Sequence, residues 1–91
     1  MLPVVWLDSA VADLTSIITF IAGEDPGAAR RLKNRLEVAT LPLSEHPYLY
    51  PGGRVSGTRE LVAHPNYILV YRVAPAQVEI VSVLHSRQEY P

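Results

Sequence analysis

The stretch Tyr67–Val73, which reads YILVYRV, is the strongest strand signal in the chain, because β-branched and aromatic residues fill it. After the turn residues 74–77, Val78–Leu84 is apolar at nearly every position, which predicts a central strand covered on both faces. Thr58–Ala63 is a third strand, joined to Tyr67–Val73 by the tight turn His64-Pro65-Asn66. The short connections predict an antiparallel meander of these three strands.

The N-terminal half predicts a short strand, Val4–Leu7, and then a helix of about four turns. Asp8 and Ser9 offer an N-cap for this helix, and Gly23 ends it. Its apolar positions recur at helical spacing: Ala10, Leu14, Ile17, Ile18 and Ile21.

A second helix follows at once, with Asp25 as its N-cap and Pro26 at its first position. Pro42 should end or kink it, and residues 46–57 are rich in Pro and Gly and predict a connecting loop. The apolar stripe of this helix consists of Ala29, Leu32, Leu36, Ala39 and Leu43. The predicted fold is a two-layer α+β domain of order β-α-α-β-β-β, with an antiparallel helix hairpin packed on a mainly antiparallel sheet.

Composition limits the classes of protein. The 91 residues suffice for a single domain, residues 1–91. The chain contains no cysteine and no apolar run long enough to span a membrane, so we expect a cytoplasmic protein without a membrane contact. A net charge of −1 is unlike that of a dedicated nucleic-acid-binding protein.

Half of the Lys and Arg residues lie on the second predicted helix, off its apolar stripe: Arg30, Arg31, Lys33 and Arg35. This cationic face is either an ordinary solvated surface or a docking face for an acidic partner. The sequence alone leaves both interpretations open.

The sequence lacks the standard motifs of phosphate loops, zinc helices and nucleophile elbows. His46, His64 and His85 each lie beside a different structural break, so we expect no metal site and no cofactor.

One group of residues suggests a catalytic site, because its members can lie on adjacent strands: Arg59, Arg72, His85 and Arg87. A histidine and arginines around a groove suit metal-free RNA cleavage, with proton transfer and stabilisation of a charged phosphorane. In this hypothesis Tyr71 and Tyr90 could stack bases.

The structural alternative to this catalytic hypothesis is equally concrete. Arg59–Glu89 and Arg72–Glu79 would be surface ion pairs, and His85 a satisfied polar residue at a strand end. Glu60 could serve as a base, but strand alternation points it away from Arg59.

Three blocks resemble the ParE/RelE superfamily of toxins: Gly57-Thr58-Arg59-Glu60-Leu61, then Tyr67–Val73, then Val83–Pro91 with its Leu84-His85-Ser86-Arg87 ending. The loop from Glu45 to Val55 and both helices also match, so the resemblance covers essentially the whole chain. It implies a two-helix hairpin on an antiparallel sheet, in agreement with the prediction from the residues.

The resemblance implies a toxin of a type II toxin–antitoxin operon, of the kind linked to plasmid stabilisation, neutralised by a cognate antitoxin that wraps around it. We assign the antitoxin contacts to Leu14, Ile18, Arg31 and Arg35. Members of the ParE branch poison DNA gyrase, whereas members of the RelE branch cleave mRNA on the ribosome. The Leu84-His85-x-Arg87 ending is similar to that of the ParE branch. The chain contains a single lysine, Lys33, and this also favours the ParE branch, because binding RNA requires several cations on one face.

On this assignment, no residue is firmly catalytic, and the target-binding residues are Arg59, Arg72, His85, Arg87 and Tyr90. If the chain is of RelE type, the catalytic residues are Arg59, His85 and Arg87. A third possibility is an inactive toxin that is retained only as an antitoxin-binding module.

Overall fold

The computed structural model describes all 91 residues and contains four strands and two α-helices in the predicted order. The elements are β1 (Val4–Trp6), α1 (Asp8–Ala22), α2 (Pro26–Ala39), a 3-10 helix (Leu41–Ser44), β2 (Arg59–His64), β3 (Tyr67–Val73) and β4 (Val78–His85). Neither α-helix is long and apolar enough to cross a membrane.

The sheet has the strand order β1-β4-β3-β2. Strands β2, β3 and β4 form the predicted antiparallel meander, and β1 lies parallel to β4. The central position predicted for β4 is therefore confirmed. The prediction that both of its faces are covered is confirmed in part. Both helices pack on one face, but on the other face Leu84 is only 4% exposed, and Glu79 and Ser82 are half-buried.

The core lies between the helix hairpin and the sheet. The helical side contributes Leu36 and, from the 3-10 helix, Leu43, and the sheet contributes Leu69, Tyr71 and Ile80; all five are 0% exposed. Each such side chain contributes about 1.5–3 kcal/mol relative to an exposed one. The stripe predicted for the second helix is confirmed, although its last member belongs to the 3-10 helix that begins just before Pro42.

The two helices begin differently. At α2 the predicted cap is confirmed, because Asp25 Oδ1 accepts a hydrogen bond from the backbone N–H of Ala28 at 3.0 Å and Pro26 is the first helical residue. At α1 the predicted cap is wrong: Leu7 occupies the N-cap position and no side chain caps the helix. Ser9 is turned instead toward the sheet.

The start of α1 closes the edge of β4 that β1 is too short to cover. The Leu7 N–H donates to the carbonyl of Ile80 at 3.0 Å, and the Ser9 hydroxyl donates to the carbonyl of Val81 at 2.6 Å. The Val83 N–H donates to Asp13 Oδ2 at 3.0 Å. Since an exposed strand edge leaves backbone groups unpaired, α1 acts here as a continuation of β1.

We expect the Asp13→Ala substitution to lower the free energy of unfolding by about 1–3 kcal/mol, because it leaves the Val83 N–H without a partner in a partly buried position. Urea denaturation measures this change. Thr15→Ala, at an exposed position of the same helix, is the matched control and should change stability by less than about 0.5 kcal/mol. Equal effects of the two substitutions would contradict the role given to the Asp13 carboxylate.

Candidate functional site

Arg59, at the start of β2, is held by the turn that precedes the strand. Its Nη1 donates to the carbonyl of Tyr50 at 2.5 Å, and its guanidinium lies 4.9 Å from the ring centroid of Tyr48. The predicted ion pair with Glu89 is wrong, because no carboxylate lies within ion-pair distance of Arg59. Its partner is a backbone carbonyl, and matching oppositely charged side chains in a sequence cannot predict such a contact.

Tyr71 lies directly opposite Arg59 in the sheet. Its side chain is wholly buried, and its hydroxyl donates to the carbonyl of Pro47 at 2.9 Å. Burial raises the pKa of this hydroxyl above its usual value of 10. The expectation that Tyr71 stacks on a base is therefore wrong, since its ring belongs to the core.

Arg72 lies on the opposite face of the sheet from Tyr71, because successive side chains of a strand alternate. Its Nε is 2.6 Å from Glu79 Oε1, and Gln77 Nε2 donates to the other carboxylate oxygen at 2.6 Å. The hydrogen bond from Arg72 lowers the pKa of Glu79 most, and that from Gln77 lowers it further. The predicted Arg72–Glu79 pair is confirmed.

His85 ends β4 beside its strand partner Tyr67, whose ring it meets edge-on at a centroid distance of 5.6 Å. Its Nδ1 accepts a hydrogen bond from the backbone N–H of Arg87 at 3.1 Å, which leaves Nε2 as the free ring nitrogen. A shallow groove opens here, lined by Ser16, Ile17, Phe20, Tyr67, His85 and Gln88.

The structure brings together only two of the four residues in the catalytic hypothesis, His85 and Arg87. Arg59 is opposite Tyr71 and His85 is opposite Tyr67, so they are separated by four residues along β3, or about 13 Å. Arg72 lies on the other face. No three His, Asp or Glu side chains meet in the way that metal ligands would.

Sequence reasoning missed a cluster on the sheet face that carries no helix. Glu60 accepts hydrogen bonds from the Arg54 backbone N–H at 2.8 Å, from Nε at 3.1 Å and from Nη2 at 3.1 Å. The Arg54 guanidinium lies 5.2 Å from the ring centroid of Tyr90, which holds the C-terminal tail against this face. Gly53 is required here, because a Cβ would lie 2.8 Å from Thr58 Oγ1.

One sequence signal pointed to this cluster. The alternation that turns Glu60 away from Arg59 is confirmed, and it leaves the Glu60 carboxylate in need of another cation. The hydrogen bonds from Arg54 lower the pKa of Glu60 below its usual value of 4.5. The loop residue that supplies them cannot be identified from strand periodicity.

The residues assigned to antitoxin contact lie in two places. Leu14 and Ile18 line a groove between the helices, together with Trp6, Val11, Thr15, Thr19, Lys33 and Glu37. Leu14 is only 6% exposed and therefore belongs mainly to the core. Arg31 and Arg35 flank a different depression, next to His64, and Arg35 Nε donates to the carbonyl of Ala63 at 3.3 Å.

Fold and surface together define a small α+β domain with an apolar groove on its helix hairpin and several arginines held at its sheet. The sequence profile described as "ParE toxin of type II toxin-antitoxin system, parDE" matches residues 4–90. The chain belongs to this family, which confirms the resemblance found in its sequence.

Relatives and a solved structure agree with this assignment. The chain is 41% identical over 88 residues to Toxin RelE2 of Caulobacter vibrioides, covering 94% of this chain and 97% of the relative. It is 39% identical over 87 residues to Y4kP of Sinorhizobium fredii, which is named as a candidate toxin. This match covers 94% of this chain and 90% of the relative. A structure described as "Chromosomal ParDE TA system from P. aeruginosa" shares the fold, with a TM-score of 0.83, 21% identity, and coverage of 93% of this chain and 96% of the other.

The Arg54–Glu60 pair predicts a pH dependence of stability. Because the pKa of Glu60 is lower in the folded chain, the pair contributes stability above pH 4.5 that is lost as the pH falls through the lower, folded value. Glu60→Gln should remove this contribution and flatten the acid side of a plot of unfolding free energy against pH. The loss near neutral pH is about 1 kcal/mol at most, because the Arg54 side chain is 40% exposed.

Urea titrations between pH 3 and pH 7 (about two steps per pH unit) test this dependence. Glu37→Gln is the matched control, since Glu37 and Lys33 are 46% and 51% exposed and form an ordinary i,i+4 surface pair. Glu37→Gln should keep the acid side of the wild-type plot. The prediction is contradicted if Glu60→Gln keeps it as well.

Proposed function

We propose that this member of the ParE toxin family inhibits bacterial growth by binding and poisoning DNA gyrase, and that it performs no chemistry of its own. The observation that carries the proposal is the dispersal of its candidate catalytic groups. Arg59 on β2 and His85 on β4 lie four residues apart along β3, and Arg72 faces away from both. An acid–base mechanism needs these groups around one phosphate.

In this proposal the sheet ends contact the target through Arg59, Arg72, His85, Arg87 and Tyr90. These side chains are spread over both faces and both ends of the sheet, which suits contact with a large protein better than enclosure of a small reactive group. The partners of such a toxin, gyrase and the antitoxin, act in the cytoplasm, so we place the chain there. A role in plasmid stabilisation belongs to the same proposal.

The decisive experiment incubates the purified chain with gyrase, ATP and supercoiled plasmid. We expect gyrase-bound, cleaved plasmid to accumulate, since a poison traps the broken intermediate. Gyrase omitted from the mixture is the control. If the chain stops growth in cells but yields no cleaved plasmid, gyrase is not the target. If it does not stop growth at all, it is an inactive toxin retained for antitoxin binding.

One observation favours a second candidate function, ribosome-dependent mRNA cleavage: a relative with 41% identity is named Toxin RelE2. In this chain the residues suited to it are His85 and Arg87, beside the groove of Tyr67 and Phe20, with Arg59 more distant. Primer extension on a translated transcript tests this function. His85→Ala should abolish cleavage and preserve antitoxin binding if this function is correct.

The antitoxin is the second partner, and we propose that its segment lies along the helix hairpin. The groove that contains Ile18 is apolar along α1, which suits the apolar face of a segment that folds on binding. Arg31 and the partly engaged Arg35 would meet acidic residues of the same segment further along α2.

We expect Ile18→Glu to weaken antitoxin binding at least tenfold, because it places a carboxylate against the apolar wall of the groove. Growth inhibition by the toxin alone should persist, while co-expressed antitoxin should no longer relieve it. Ala12→Glu, at an exposed position of the same helix outside the groove, is the control and should behave as wild type. Full rescue of Ile18→Glu by the antitoxin would place that segment elsewhere.

A further inference from the structure

The turn Pro47–Tyr50 exposes two large side chains at the end of the domain that carries Arg59. Tyr48 is 66% exposed and Leu49 is 56% exposed. The turn is closed locally, since the Leu49 N–H donates to the carbonyl of His46 at 3.1 Å. Two adjacent, exposed, largely apolar side chains on an ordered turn are a feature that a partner surface would explain.

Two neighbouring strands hold the ends of this turn. The Tyr71 hydroxyl donates to the carbonyl of Pro47 at 2.9 Å, and Arg59 Nη1 donates to the carbonyl of Tyr50 at 2.5 Å. Tyr71 and Arg59 are strand partners, so the two donors arise side by side. A buried phenol needs such a partner, and here its partner is the backbone of the exposed turn.

The charge of Arg59 has no carboxylate partner, unlike the charges of Arg54 and Arg72, which are paired with Glu60 and Glu79. Its guanidinium lies over the ring of Tyr48 and uses one N–H on Tyr50. The remaining donors of the fork are therefore available beside the two exposed side chains. The patch therefore combines two exposed, largely apolar side chains with a positive charge that no carboxylate neutralises.

The exposure and charge of the patch distinguish its partner from the antitoxin. A groove such as that along α1 fits a flexible peptide, whereas two exposed side chains beside a guanidinium without a carboxylate partner fit an apolar pocket with an acidic rim on a folded protein. We infer that the Pro47–Tyr50 turn inserts Tyr48 and Leu49 into an apolar pocket of the toxin's folded protein target, with an acidic residue at its rim facing Arg59. Tyr71 is then a positioning residue, whereas Arg59 both holds the turn and contacts the target. This inference rests on the proposed function as a toxin that acts on a protein.

The test uses the full chain and two readouts: the toxin concentration that traps half of the plasmid on gyrase, and binding to the antitoxin. We expect the double variant Tyr48→Ala, Leu49→Ala to need at least ten times more toxin, with unchanged antitoxin affinity. Val62→Ala is the control, since Val62 is 68% exposed on another part of the sheet.

The two residues that hold the turn, Tyr71 and Arg59, have a separate signature. Tyr71→Phe and Arg59→Lys should each raise the required toxin concentration several-fold. The variant that combines Tyr71→Phe with Arg59→Lys should be little worse than Arg59→Lys alone, because both side chains hold one turn. A merely structural role would instead lower antitoxin affinity in parallel with target poisoning.

Each contrary result has a definite meaning. If the alanine double variant traps plasmid as well as wild type, or loses antitoxin affinity equally, the inference is wrong. If the wild type stops growth without trapping plasmid, gyrase is wrong as the target, and the same variants compared for growth inhibition still decide the role of the turn. If the wild type leaves growth unaffected, the proposed function fails, and this inference fails with it.

Discussion

The length difference between β1 and β4 sets the constraint on which the rest of the fold depends. β1 has three residues and β4 has eight, so β1 can pair only with the first part of β4. The backbone of β4 beyond Ile80 would be an open edge, and open edges invite pairing with other chains. The first two turns of α1 close it through Ser9 and Asp13.

This closure also fixes the helix layer. Since Leu7, Ser9 and Asp13 bond to successive points of β4, α1 must run along that strand, and only then does its apolar side reach the core. The Asp25 cap and Pro26 start α2 within a few residues, so the second helix returns antiparallel beside the first. The groove proposed for the antitoxin is thus a consequence of how the sheet edge is closed.

Local signals predicted most of the fold. The alternation and composition of Tyr67–Val73 gave the strand with its observed bounds, and the Asp25-Pro26 pair gave the start of α2. The N-cap at Asp8 and Ser9 failed because Ser9 has a stronger partner, the carbonyl of Val81, which lies 72 residues along the chain. A side chain that caps locally and one that reaches the sheet look the same in sequence.

The candidate site was less predictable for a related reason. Periodicity gave the face of each side chain, so the separation of Glu60 from Arg59 and the Arg72–Glu79 pair followed from it. It could not give the path of residues 46–57, and that loop supplies the partners of Arg59, Tyr71 and Glu60. The register, which sets Arg59 and His85 four positions apart along β3, is likewise a long-range property.

The engagement of the arginines bears on the kind of target. Near the sheet, Arg54 and Arg72 are neutralised by carboxylates, and Arg59 is fixed by a carbonyl and a ring. Arg87 is the one arginine there whose side chain makes no hydrogen bond or ion pair. A nucleic acid would have to displace existing partners before several phosphates could be neutralised, and each displaced pair would reduce the gain from counterion release. A protein target requires no such exchange, because fixed arginines beside exposed aromatic and aliphatic side chains are already arranged as protein interfaces are.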